Sequence, residues 1–245
     1  MAQIGHNCRV SDDVVWDVRD LQGETLPIVI GDGARIMSQA IIYGGTQIGP
    51  GVVVEERTIV GKPEFGYAVG LFYPGAGAPT LIGAGSILRA GAIVYAGVRI
   101  GEATAIGHGT LVRSDVSIGS DSQLAHFLSV ERASRIGSFV RCSPLSHLTS
   151  GIVLEDRVFL GAGVLTINDK SMVWRDPERD PELFPPRVEY GAKVGSGSTI
   201  AAGVVIGRGA LVGSGSLVTR DVPPNAIAYG VPARVKDFDP QTGGA

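Results

Sequence analysis

Histidines are the side chains of this sequence whose ordinary pKa lies nearest neutrality, and the 245 residues hold four: His6, His108, His126 and His147. A neutral imidazole can take the proton of an attacking amine or hydroxyl, which is general-base work. His6 lies in the first turn of the chain and reads as incidental. No two histidines stand at a His-x4-His spacing, and no metal site is expected. The two cysteines, Cys8 and Cys142, are too few for a disulfide framework in a chain of this length. The balance of 21 basic against 24 acidic side chains leaves a net charge of −3, which argues against a nucleic-acid binder working through a basic surface.

What positions these side chains is a repeat of six residues. Stepping by six from Ile30 gives Ile36, Ile42, Ile48, Val54 and Val60. The series restarts at Ile82 and runs to Leu160, then restarts at Val188 and runs to Val218, and Cys142 alone among these anchors is not Leu, Ile or Val. Four residues after each anchor stands a second, mostly smaller side chain, as at Ala34, Thr46, Ser86, Thr104 and Ala192, with Leu128 and Ile152 the larger exceptions. Three residues after most anchors stands glycine, from Gly33 to Gly215, which suits a corner with positive φ. A period of six with two inward positions describes a short strand and a corner, whereas an amphipathic helix repeats near 3.6. The 36 glycines show no three-residue period, so collagen is excluded, and 44% hydrophobic content argues against disorder. Cys142 falls on an anchor and Cys8 on the small inward track, so both read as packing residues. Residues 1–10 lack the apolar stretch of a signal peptide, and no apolar run approaches a membrane span; a soluble, cytoplasmic protein is expected.

The pattern resembles the left-handed parallel β-helix of the hexapeptide-repeat acyltransferase superfamily. The resemblance implies an all-β solenoid over residues 1–235, with loops 61–81 and 167–187 interrupting the register and a C-terminal tail over 236–245. Three hexapeptides then make one triangular coil of 18 residues, and coils stack about 4.8 Å apart. On such a coil His108 and His126, each two residues after an anchor, stack in one outward corner column, and His147 points outward from a flat strand one coil further on. The loops carry Phe65, Tyr67, Phe72 and Tyr73, then Trp174 and Phe184, which suit a lid, a ligand platform or a subunit contact. Between Asp121 and Leu145 the corner glycine disappears. Phe127, Phe139 and Leu145 take its place at outward positions, where burial against another copy of the chain is expected. The family's usual assembly, a homotrimer with active sites between neighbours, fits.

Shorter matches carry the site. Leu124-Ala125-His126 has the form in which members of this superfamily carry their general base. His147 lies closer along the chain to the C-terminal coils; these two are the candidate bases, with His108 behind them. Leu154 to Gly161, followed by Thr166-Ile167-Asn168-Asp169, resembles the (nucleotide-)amino-sugar N-acetyltransferase branch, in which the asparagine lies beside thioester and acceptor. Those relatives continue with Pro-Arg, where this chain has Lys170-Ser171-Met172. Ala192 to Gly203, Val218 to Pro224 and Tyr229 to Val235 resemble the closing coils of coenzyme A-dependent members. There the pantetheine bonds to backbone near the residues matching Ala201 and Ala202, and basic side chains matching Arg220 and Arg234 meet the nucleotide phosphates. The resemblance thus implies transfer of an acetyl group from acetyl-CoA to an amine, such as that of a nucleotide-linked amino sugar. O-acyl transfer, an acyl-carrier-protein donor and a non-catalytic scaffold stay open as alternatives. The histidine spacing speaks against a γ-type carbonic anhydrase on the same fold.

Overall fold

The computed structural model describes residues 2–19, 25–66, 78–172, 178 and 182–236. Strands of two to four residues alternate with tight corners, and the chain turns three corners before it comes back over itself. Three sheets result, of ten, twelve and ten strands among the described residues. We call them faces A, B and C in the order the chain visits them. Register follows the repeat: Leu81 and Ile82 pair with Arg99 and Ile100, and those with Ser117 and Ile118, always in parallel. This is the left-handed parallel β-helix expected from the sequence. One departure closes it: Ile227–Gly230 and Ala233–Lys236 form an antiparallel hairpin at the end of face B, and Lys236, assigned to the tail from sequence, is its last residue.

The core is the anchor track. From Ile30 to Val218 every anchor is at most 4% exposed. Cys142 is among them, and burial pushes its thiol up to about 12, so it packs as a small hydrophobe and does not ionise. The second inward track does more than fill space. Its hydroxyls reach the carbonyl of the next coil's corner, as Thr104 Oγ1 does to Gly119 O at 2.8 Å, Ser122 Oγ to Gly137 O at 3.0 Å and Ser198 Oγ to Gly213 O at 3.0 Å. Buried carbonyls that no ladder bond serves are thus satisfied, which is why serine and threonine recur where size alone would admit alanine.

The corner glycines adopt positive φ as expected, +70° at Gly33 and +66° at Gly163 among them. So do the residues that replace them: Asp121, Phe127, Ala133, Phe139 and Leu145 lie between +56° and +64°. Sequence reasoning assigned that conformation to glycine, and here side chains hold it at about 1–2 kcal/mol each.

Candidate active site

Three edges join the faces, and the irregular parts of the chain gather on one of them. Both insertions leave the stack after a face C strand, Ile59–Lys62 or Leu165–Thr166, and return on face A, at Thr80–Ile82 or Arg187–Val188. A third departure that the repeat did not flag, residues 18–27, sits on the same C–A edge, where Arg19 bridges Thr25. The face C strands between the two large insertions, from Ile93–Tyr95 to His147–Leu148, turn directly into face A. That stretch of edge is a floor with an insertion at either end. Tyr67, Phe72, Tyr73 and Trp174 lie outside the described residues.

Two residues after each face C anchor from Val112 onward, one column runs along this edge: Ser114, Arg132, Ser150, Asn168, Ala202 and Arg220. At its lower end Glu64, from the first insertion, is almost fully buried. Its carboxylate accepts Arg113 Nε at 2.6 Å, the Ser114 N–H at 2.9 Å and the Ser114 hydroxyl, and Arg132 Nε lies at 3.8 Å. Burial alone would raise the Glu64 pKa, but the two bonds from Ser114 and the Arg113 charge outweigh it and hold the carboxyl below its usual range. Burial alone would likewise lower Arg113, and its bonds to Glu131 and Glu64 drive it up instead. Arg113 Nη1 bonds Glu131 at 2.5 Å, and Glu131 also accepts the Ser129 hydroxyl at 2.7 Å. Sequence reasoning named none of this cluster, because its members sit far apart in the chain and only the coil stacking gathers them.

His147 stands on face C, half-buried, in register with Ser129 on one side and Leu165 on the other. His108 and His126 lie on the opposite, B–C, edge of that face. Their rings stack at 5.0 Å, and His126 Nδ1 accepts the His108 backbone N–H at 3.0 Å, which is the column expected from their spacing. The structure therefore brings His147 toward Asn168, one strand away, and keeps His126 across the face from it.

Asn168 Nδ2 donates to Ser150 O at 3.1 Å, and its carbonyl accepts the Phe184 N–H at 2.6 Å. The second insertion is thereby stitched back onto the edge: Asp169 bridges Leu183, Lys170 lies over the Phe184 ring at 4.9 Å, and the Gly203 N–H bonds Phe184 O at 2.7 Å. Asp169 Oδ1 caps the turn, taking the Ser171 hydroxyl and the N–H groups of Ser171 and Met172, and those bonds lower its pKa. One coil on, Ala201 donates its N–H to Val218 O at 2.9 Å and Ala202 is buried. One coil further, Arg220 and Arg234 line a shared cavity of about 160 Å³ between the last coil and the closing hairpin. Neither guanidinium has an ion-pair partner among the described residues. Groups of three or more metal-ligating side chains do not occur among the described residues. No helix of the described residues is long and apolar enough to cross a membrane.

Comparison with known proteins bears on the repeat. Residues 27–62 match the bacterial transferase hexapeptide (six repeats), and residues 186–220 match the hexapeptide repeat of succinyl-transferase. The chain carries hexapeptide repeats. Its fold is shared with the UDP-N-acetylglucosamine acyltransferase of Arabidopsis, at a TM-score of 0.57 and 17% identity over 94% of this chain and 72% of that one. A hexapeptide-repeat acetyltransferase of Vibrio cholerae in complex with acetyl coenzyme A matches at a TM-score of 0.42 and 19% identity, over 60% of this chain and 69% of that one. An N-acyltransferase of Bacillus cereus in complex with dTDP and coenzyme A matches at a TM-score of 0.43 and 21% identity, over 65% of this chain and 84% of that one. Among curated proteins the hexapeptide-repeat sequence has no significant match.

Proposed function

We propose that this hexapeptide-repeat protein is an acyltransferase that moves an acetyl or other short acyl group from a coenzyme A thioester to the amino group of a small molecule, and that it works as a homotrimer. The observation that carries the reading is the pairing of Arg220 with Arg234 in one cavity at the head of the edge column that also holds Ala202 and Asn168. Two unpaired guanidinium forks suit the phosphates of the donor nucleotide. From there the pantetheine arm runs down the C–A edge past Ala201 and Ala202. His147 lies three strands below the last face C strand, about 14 Å, a distance that such an extended arm spans.

At that level the acceptor amine attacks the thioester carbonyl. His147 takes its proton, the C–N bond forms, the C–S bond breaks, and the proton passes on to the departing thiolate. General-base catalysis of this kind contributes about 10²–10⁴-fold. Asn168 has its Nδ2 committed to Ser150, which leaves Oδ1 to accept a hydrogen bond from the amine and aim its lone pair. Backbone N–H groups at a corner supply the oxyanion's donors. The floor between the insertions is where a nucleotide-linked amino sugar fits, with Phe65 or Phe184 available to its base. His126, across face C from the donor edge of its own chain, is placed to serve the donor edge of a neighbouring copy.

The test is a mass-spectrometric screen of candidate amines and alcohols with acetyl-CoA, run on the parent, His147→Ala and His126→Ala. Loss of at least about tenfold in turnover on one substitution identifies the base. Unchanged turnover in both variants overturns the histidine mechanism. Product with alcohols alone makes the protein an O-acyltransferase, and turnover confined to acylated carrier protein replaces the donor. A protein that turns over with none of these donors and that coenzyme A thioesters fail to stabilise thermally is a scaffold.

A further inference from the structure

We propose that Arg9 and Arg35 form a second anion site, at the N-terminal end of the stack, that takes a phosphoryl group of a small-molecule ligand. The two are direct partners on neighbouring face B strands, so their stems rise one strand spacing apart, about 4.8 Å. Like charges placed opposite each other on a sheet oppose pairing. Both side chains are exposed, and with Ser11 they line a hollow of about 290 Å³ floored by Val10, Ile36 and Met37. Neither makes an ion pair or side-chain hydrogen bond among the described residues.

Two nearby acids are engaged elsewhere. Asp13 accepts the Ser38 hydroxyl at 2.6 Å, and Asp32 accepts the His6 N–H at 2.7 Å. Several other arginines of the stack are committed: Arg89 to Glu55, Arg187 to Glu155, Arg157 over Phe139 and Arg208 over Tyr190. Two pairs keep open forks toward a common hollow, Arg220 with Arg234 and Arg9 with Arg35. Nine strand spacings on face B, roughly 40 Å, separate the Arg35 strand from the closing hairpin, so one ligand does not fill both. A carboxylate is satisfied by a single guanidinium fork, whereas two forks and a hydroxyl match the three oxygens of a phosphoryl group.

The probe is inorganic pyrophosphate at low ionic strength, with acetate as the carboxylate control. Arg220→Gln/Arg234→Gln removes the donor end and isolates the new site. Pyrophosphate is expected to raise the melting temperature of that variant, and calorimetry to find one site that acetate does not fill. Adding Arg9→Gln and Arg35→Gln is expected to abolish the shift and weaken binding at least roughly tenfold. All four substitutions are at exposed positions, and relief of the like-charge pair leaves Arg9→Gln/Arg35→Gln as stable as the parent without ligand. An equal shift in the fourfold variant, no shift in Arg220→Gln/Arg234→Gln, or equal occupancy by acetate overturns the proposal.

Discussion

Glu64 and Arg113 stand 49 residues apart in sequence and form a buried ion pair on the C–A edge, two coils above the point where the first insertion leaves the stack. The contact turns the start of that insertion along the edge, toward Asn168, and away from solvent. It also ties the insertion to face C, because Arg113 bonds Glu131 and Glu131 bonds Ser129, the strand neighbour of His147.

Glu64→Gln leaves Arg113 and Arg132 short of a buried counter-charge. Arg113 keeps Glu131 and Arg132 keeps Asp115, so the loss stays below the roughly 3–5 kcal/mol of a stranded buried charge, and urea unfolding at neutral pH is expected to show about 1–3 kcal/mol. The same pair sets a pH dependence. The Glu64 pKa is lower folded than unfolded, so the unfolded chain binds the extra proton as pH falls. The contribution is complete above the ordinary carboxylate pKa and is lost as pH drops through the folded value. Glu64→Gln should therefore flatten the acid side of the stability profile; a parallel downward shift at all pH values would contradict the assignment.

Cys142 is fully buried with its pKa pushed up to about 12, while Cys8 is half-buried with its Sγ 3.2 Å from Gly31 O. Ellman's reagent is expected to label native protein at no more than one thiol and unfolded protein at two. Fast labelling of Cys142 in native protein would mean that the coil stack opens locally.

Much of this was legible in the sequence because the repeat is rigid. Once Ile82, Ile100 and Ile118 share a phase, each outward residue has a fixed column, and the stacking of His108 on His126 follows from arithmetic. The Glu64 cluster was not legible, since an insertion obeys no repeat and nothing local to Glu64 announces Ser114 as its partner. The positive φ of Phe127 and Leu145 was hidden for a related reason: the corner imposes the conformation on whatever residue occupies it, and residue type betrays it only where glycine is used. The hairpin that places Arg234 beside Arg220 runs antiparallel, outside any parallel period. Only the C-terminal resemblance linked the two.

Arg220→Gln and Arg234→Gln should act on donor binding and leave the chemistry alone. Each removes a fork that faces the shared cavity and has no protein partner to strand. A charge-assisted bond is worth about 1.5–3 kcal/mol, so KM for the acyl donor should rise at least about tenfold per substitution with kcat nearly constant. The rise should shrink as salt increases, because these are exposed charges. A fall in kcat at unchanged KM would place the arginines elsewhere in the cycle.

Phe127 and Leu145 occupy successive corners of the B–C edge, 62% and 65% exposed, with φ of +56° and +64°. The Phe127 ring lies over Gly109, where a Cβ would stand 2.7 Å from it, so a corner without a side chain is what admits the ring. Two bulky apolar groups are thus held in a costly conformation and turned to water, beside His126. Exposed apolar groups held at such a cost suit the subunit contact of the proposed trimer. Replacing both with glycine relieves about 1–2 kcal/mol of strain at each corner, offset by about 0.5–1 kcal/mol of glycine's extra unfolded-state freedom. The double variant should therefore fold at least as stably as a dissociated parent chain, yet sediment as a smaller species than the parent. An unchanged sedimentation coefficient would show that this edge is not the subunit contact and would remove His126 from the neighbouring copy's donor edge.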